Sequence, residues 1–102
     1  MSSVIAERSL VCVEPSGSRT PFIVRIGAPY ENPEGDWACP VSLEGLEPRL
    51  ADIHGVDSFQ ALMLARRLAL QLLLERAKEG TRFIDAEEDY DVDINGLFDG
   101  GL

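Results

Sequence analysis

The sequence is poor in residues that bind metals or react covalently. Its 102 residues include two cysteines, Cys12 and Cys39, one histidine, His54, and no Cys-x-x-Cys spacing. A zinc site of the usual kind therefore cannot be assembled from this chain. Both cysteines fall in segments that we predict to be strands, where buried free thiols are favoured over a disulfide across the sheet.

Basic residues are also scarce. Nine Lys and Arg stand against 18 Asp and Glu, a formal net charge of −9, which opposes binding to nucleic acid or to an anionic membrane surface. No secretory signal is visible at the start, and Arg and Gln interrupt the longest apolar stretch, 62–74, so it falls short of the about 20 residues that a membrane span needs. We therefore expect a cytoplasmic protein with no membrane or nucleic-acid partner.

Catalytic signatures are missing as well. His54 has no Ser or Cys in a recognisable elbow or triad context, and the glycines form neither a Gly-x-Gly-x-x-Gly motif nor a phosphate-binding loop. The sequence predicts a protein that is not an enzyme and has no catalytic residue and no cofactor.

What the sequence does contain is a series of strand patterns in its first half. Strands are predicted over 4–14, 22–26, 37–44 and 50–54, with a loop over 27–35. The alternation of apolar and polar residues is clearest in 37–44. Pro40 lies within it and donates no backbone hydrogen bond, so this strand is expected at a sheet edge or with a bulge.

A long helix over 58–79 dominates the second half. Asp57 is a good N-cap, Gln60 stands three residues later as in a capping box, and Gly80 provides a left-handed stop. A short strand over 82–85 follows the helix.

We predict a single compact α+β domain over 1–84, in which an antiparallel sheet of three to five strands packs on this helix, and an acidic C-terminal tail over 85–102. Seven of the 18 acidic residues lie between Asp85 and Asp99, and no basic residue follows Arg82. Such a block either is a solvated terminus or docks on a basic protein partner, as an immunity or antitoxin-like inhibitor would.

Apolar side chains surround most of the helix. At about 100° per residue, a broad arc includes Phe59, Met63, Ala69 and Leu73, and a second patch lies roughly opposite. The second patch contains Leu64, Leu68, Leu72, Ala61 and Ala65. Because a sheet covers only one face, we expect Leu64, Leu68 and Leu72 to form the interface of a homodimer. The alternative is that the 27–35 loop or the C-terminal tail covers them.

Arg66 falls near the middle of the broad arc and must be paired, because an uncompensated buried charge costs several kcal/mol. Its partner is either a carboxylate of the chain, with Glu7, Glu44 and Asp52 as candidates, or an anionic ligand. Alternatively, its side chain extends along the helix edge so that the guanidinium reaches water.

Asp91, Asp93 and Asn95, followed by Gly96, match the first half of a calcium-binding loop, in which alternate oxygens converge on the ion. The twelfth position, where a bidentate Glu belongs, is Leu102. The segment predicts a weak calcium-binding module as an alternative function.

Several short motifs are distributed along the sequence: Ile5-Ala6-Glu7-Arg8, Val24-Arg25-Ile26-Gly27, Asp36-Trp37-Ala38-Cys39-Pro40, Glu44-Gly45-Leu46 and Gly55-Val56-Asp57-Ser58-Phe59-Gln60-Ala61-Leu62. Taken together, these motifs resemble a family of small bacterial domains of unknown function. The resemblance implies a compact bacterial cytoplasmic domain with a strand-rich first half and a long helix, and it implies no activity. The doubly apolar helix together with the acidic terminus leads us to expect a non-catalytic protein-interaction module that self-associates.

Overall fold

Two antiparallel sheets and two helices form the chain in the computed structural model, which describes residues 3–99. The elements are β1 (Val4–Val13), β2 (Arg19–Gly27), β3 (Tyr30–Glu31), β4 (Trp37–Cys39), β5 (Val41–Glu44), β6 (Ile53–Gly55), α1 (Ser58–Lys78), β7 (Arg82–Asp85) and α2 (Ile94–Phe98). The predicted α+β class and the long helix are confirmed, although the strands form sheets of four and three strands and not a single sheet. The ends of the predicted domain and tail, residues 1–2 and 100–102, lie outside the described residues, and so does Leu102 of the predicted calcium loop.

The four-stranded sheet has the order β5-β2-β1-β7 and is built on the hairpin of β1 and β2. Leu10 lies opposite Phe22 across this hairpin, and β7 places Phe83 opposite Cys12 on the same face. Phe22 and Phe83 contact each other edge to face, with ring centroids 5.9 Å apart. All four side chains are buried, so this face of the sheet forms one side of the hydrophobic core.

Pro40 divides the predicted strand 37–44 between the two sheets. β4 pairs with β3 and β6, whereas β5 pairs with β2 at the edge of the larger sheet. Because proline has no N–H to donate, the ladder is interrupted here, and the Pro40 carbonyl accepts a hydrogen bond of 2.9 Å from the Gly27 N–H. The prediction of one continuous strand is therefore wrong, while the predicted edge position holds for β5. The predicted loop 27–35 contains β3.

Local sequence signals determine both ends of α1. The Gln60 N–H donates to Asp57 Oδ1 at 2.7 Å, and Gln60 Oε1 accepts from the Val56 N–H at 2.7 Å. The capping arrangement is therefore present, with the Val56 amide in place of the N-cap amide. Gly80 has a φ of 97°, the left-handed conformation that stops a helix. The helix ends at Lys78, one residue before the predicted end.

Small side chains form the buried stripe of α1. Ala61, Ala65, Ala69 and Leu73 are each 0% exposed, and each lies one turn from the next. Gly55 of β6 also allows close packing: a Cβ added there would lie 2.5 Å from the Ala61 backbone nitrogen. The predicted division of α1 into two apolar faces is wrong, because one stripe combines alanines of the second patch with residues of the broad arc.

The described part of the acidic tail, residues 85–99, packs on the rest of the domain. The Val92 N–H donates to the Phe83 carbonyl at 2.8 Å, Ile94 is 4% exposed within the core, and α2 lies against α1. Apolar side chains thus anchor this segment, while most of its carboxylates stay at the surface. The core continues past the predicted boundary at residue 84.

Candidate functional site

Three apolar side chains are exposed at the start of α1, and we call them the helix-start cluster: Val56, Phe59 and Met63. Their exposed fractions are 75%, 72% and 37%. Phe59 and Met63 lie one turn apart on the same side of the helix, and Val56 precedes the N-cap residue Asp57. The hydrogen bonds that Gln60 makes with Asp57 and Val56 hold this first turn in place. Apolar residues grouped at a surface are typical of interaction sites.

The helix that carries this cluster has no negative charge over most of its length. No acidic residue occurs in the 17 residues from Ser58 to Leu74, although the chain as a whole has 18 among 102 residues. The charged residues of this stretch are Arg66 and Arg67. Two copies of a chain with a net charge of −9 repel each other wherever carboxylates meet. This part of α1 therefore carries no carboxylate of its own.

The predicted interface residues Leu64, Leu68 and Leu72 are all partly buried. Leu68 and Leu72 pack against the core. The three leucines remain a predicted interface that is separate from the helix-start cluster, because they lie on a different side of α1 from Phe59 and Met63. Phe59 and Met63 belong to the arc that the sequence assigned to the core, and that assignment is wrong because the alanine stripe faces the sheets. The small size of those alanines is the signal in the sequence that identifies the face of α1 packed closest to the sheets.

Arg66 does not pair with any of the three acids that its position suggested. Its guanidinium lies 3.5 Å from Asp99, while Glu7 and Glu44 both bind Arg25. The Arg66 side chain is 34% exposed, so solvent screens the pair and it contributes little to stability. Only the packing of α2 against α1 brings Asp99 to Arg66, and no local pattern in the sequence indicates that.

The three predicted calcium ligands have separate contacts. Asp91 Oδ1 accepts from Arg82 at 3.2 Å, and Asp93 Oδ2 accepts from the Gly96 N–H at 3.2 Å as the N-cap of α2. Asn95 lies within α2. In the described part of the chain, no group of three or more His, Cys, Asp or Glu side chains is arranged to hold a metal ion. Calcium binding stays a prediction, and calorimetric titration with calcium tests it.

A polar cluster lies on the three-stranded sheet, and no pattern in the sequence predicts it. His54 Nδ1 lies 2.8 Å from Asp36 Oδ2, and Asn32 Nδ2 donates to Asp36 Oδ1 at 3.2 Å. Tyr30 Oη donates to Asp52 Oδ2 at 2.6 Å. The hydrogen bonds from His54 and Asn32 hold the pKa of Asp36 below its ordinary value of 3.8, and the bond to Asp52 raises the pKa of Tyr30.

The strand register brings this polar cluster together. Tyr30 of β3 and His54 of β6 lie on either side of Ala38 in β4, and the small Ala38 leaves room for both. An imidazole oriented by a carboxylate is one part of an acid–base apparatus. Cys39, the residue after Ala38 in β4, is buried, and its thiol donates to the Gly27 carbonyl at 3.4 Å. Burial raises the pKa of this thiol. Both cysteines of the chain are buried free thiols.

Residues 6–94 match the sequence model of a family described as "Domain of unknown function (DUF6968)". The match extends from β1 to the first residue of α2 and so includes most of the acidic segment. No curated protein and no solved structure matches the chain. Within residues 3–99, no helix combines the length and the apolar character that crossing a membrane requires.

Proposed function

The chain belongs to the DUF6968 family of domains of unknown function, and we propose that it is a non-catalytic protein-interaction module that self-associates as a homodimer. The observation that supports this proposal is the exposure of the helix-start cluster, where Val56 is 75% and Phe59 72% exposed. A side chain of this size gains about 1.5–3 kcal/mol when it is fully buried. Because both side chains are exposed in the single chain, burying them against a partner protein would stabilise a complex.

A second copy of the chain is the occupant that we propose for this surface. A two-fold axis brings the same surface of each copy together, so the helix-start cluster meets its own equivalent. Asp57, the nearest acid, directs its carboxylate into the helix cap. From Ser58 to Leu74 the only charged residues are Arg66 and Arg67, so no carboxylate of this part of α1 faces a carboxylate of the other copy.

The proposal includes a location in the bacterial cytoplasm. Two buried free thiols support it, because the cytosol keeps thiols reduced. The short motifs that resemble small bacterial domains support the bacterial origin.

Size-exclusion chromatography with multi-angle light scattering, over a dilution series of the full chain, tests self-association. Phe59→Ser removes two phenyl rings from a two-fold dimer, so about 3 kcal/mol of burial is lost and the dissociation constant rises about 100-fold. Ile5→Ser is the matched control because Ile5 is also an exposed apolar residue, 53% exposed, but lies on β1.

The control variant is expected to dimerise as the unmodified chain does. A monomer at every concentration overturns the proposal. A dimer weakened by Ile5→Ser and not by Phe59→Ser also overturns it, because the interface then lies on β1.

A further inference from the structure

β1 leaves part of one edge without a neighbouring strand. It spans ten residues, and β2 pairs with it from Val4 to Val13, but β7 pairs only with Leu10–Val13. A bulge interrupts the pairing with β2 between Val4 and Ala6, so the regular part of the open edge is 6–9. Among the described residues, no strand pairs with residues 6–9 on the side of β1 where β7 lies. An unpaired edge accepts an added strand from another chain.

A groove lies beside this open edge, between the larger sheet and the two helices. It has a volume of 220 Å³, and its apolar walls include Val24 and Ile26 of β2 and Phe98 of α2. Ala6 of β1 also lines it, and its single methyl group leaves room above the strand. The groove is therefore shaped to receive a large apolar side chain from a strand added to β1.

Two arginines, Arg8 and Arg66, provide the positive charge of the groove. Arg8 is held by Asp85 at 3.0 Å. Arg66 lies 3.5 Å from Asp99, whose side chain is 61% exposed, and this contact is longer than a charge-assisted hydrogen bond of about 2.7–2.9 Å. A carboxylate from a ligand can replace Asp99 because little is lost when that loose pair opens.

Glu7 is the acidic residue of the groove lining. Its carboxylate is bound to Arg25 at 2.9 Å, so its charge is compensated within the chain. The groove therefore favours an anionic group near Arg66, although the chain as a whole has a net charge of −9.

We propose that this edge and groove bind an extended segment of another protein, in which a carboxylate side chain stands two residues before a large apolar side chain. Antiparallel addition to β1 places one residue opposite Arg8 and the residue two positions later opposite Ala6. Residues two apart in a strand share a face, so both side chains point toward the groove. The apolar side chain occupies the space above Ala6, and the carboxylate binds Arg66.

Peptide binding to this groove does not require the helix-start cluster. No residue of the helix-start cluster lines the groove, and the ligand is a segment of a different chain. The Phe59→Ser variant is therefore expected to bind the peptide with unchanged affinity.

Fluorescence anisotropy with a labelled synthetic peptide tests the proposal on the full chain. The peptide has Glu-Thr-Leu at its centre, flanked by alternating Thr and Val, and a second peptide has Lys in place of Glu. Saturable binding of the Glu peptide is expected, with about two- to fivefold weaker binding of the Lys peptide, because the contact between the Glu carboxylate and the partly exposed Arg66 is lost. Arg66→Met is expected to weaken binding of the Glu peptide by a similar factor. Arg67→Met is the matched control, because it removes the adjacent arginine of α1, which does not line the groove.

Chemical-shift changes on peptide addition provide a readout that does not depend on whether the variants fold. They are expected at the backbone amides of residues 6–9 and at Arg66. Absence of saturable binding overturns the proposal. Equal weakening by Arg66→Met and Arg67→Met also overturns it, since that result indicates unspecific attraction between charges. Shift changes confined to other strands exclude the β1 edge and overturn it too.

Discussion

Replacing Gly55 with alanine is expected to destabilise the fold through one backbone contact. The added Cβ would lie 2.5 Å from the Ala61 nitrogen and 3.0 Å from the Ala61 Cα, both closer than van der Waals contact between such atoms, which is about 3.5 Å or more. Both are backbone atoms of α1, so no change of rotamer relieves the overlap. Either β6 or the first turn of α1 must move, and that turn carries Phe59.

The cost of this overlap is about 1–3 kcal/mol, the usual range for overpacking a dense interior. For a domain of this size, each kcal/mol lowers the melting temperature by about 4–8 °C. Circular dichroism of thermal and urea unfolding measures the change. Gly96→Ala is the matched control, because the nearest neighbour of its added Cβ is a side-chain atom, Asp93 Oδ2 at 3.1 Å, and not backbone. We expect its effect to stay within about 1 kcal/mol. An unchanged melting temperature for Gly55→Ala would refute the close packing of β6 on α1.

Two further variants test the contacts that hold the edges of the fold. Arg76→Met removes the Arg76–Glu47 pair, whose shortest contact is 3.0 Å, and is expected to lower the free energy of unfolding by about 1–2 kcal/mol; a urea titration that matches the unmodified chain would contradict this. Asp85→Asn is expected to lower the melting temperature at neutral pH, because hydrogen bonds, foremost from the Glu88 N–H, hold the pKa of Asp85 below its ordinary value of 3.8. A lowered carboxyl pKa stabilises the fold above the unfolded-state pKa, and this stabilisation is lost as the pH falls through the folded-state pKa. The difference between Asp85→Asn and the unmodified chain must therefore shrink in acid, and a constant difference would argue against the Asp85 contacts.

Elements whose signals are local could be predicted from the sequence. The start of α1 depends on Asp57 and Gln60, three residues apart, and its end on Gly80, so the predicted helix agrees with the structure to within one residue. The strand 82–85 agrees completely. These signals act through hydrogen bonds and backbone conformations within a few residues, which a linear pattern contains.

Features that depend on contacts between distant residues could not be predicted. The alternation over 37–44 continues through Pro40, and only the pairing with two different neighbours shows that the strand changes sheets there. The face of α1 that packs on the sheets carries the small side chains of Ala61, Ala65 and Ala69, which allow the strands to approach closely. Hydrophobicity alone would instead place the larger Phe59 in the core. Asp99 reaches Arg66 only because α2 folds back on α1.

Sedimentation equilibrium of the unmodified full chain over a wide concentration range tests self-association most directly. We expect a mass that rises with concentration from 11.2 kDa toward twice that value, with the rise shifted to higher concentration by Phe59→Ser. A mass that stays at 11.2 kDa at every concentration would contradict the proposal that the helix-start cluster joins two copies of this chain.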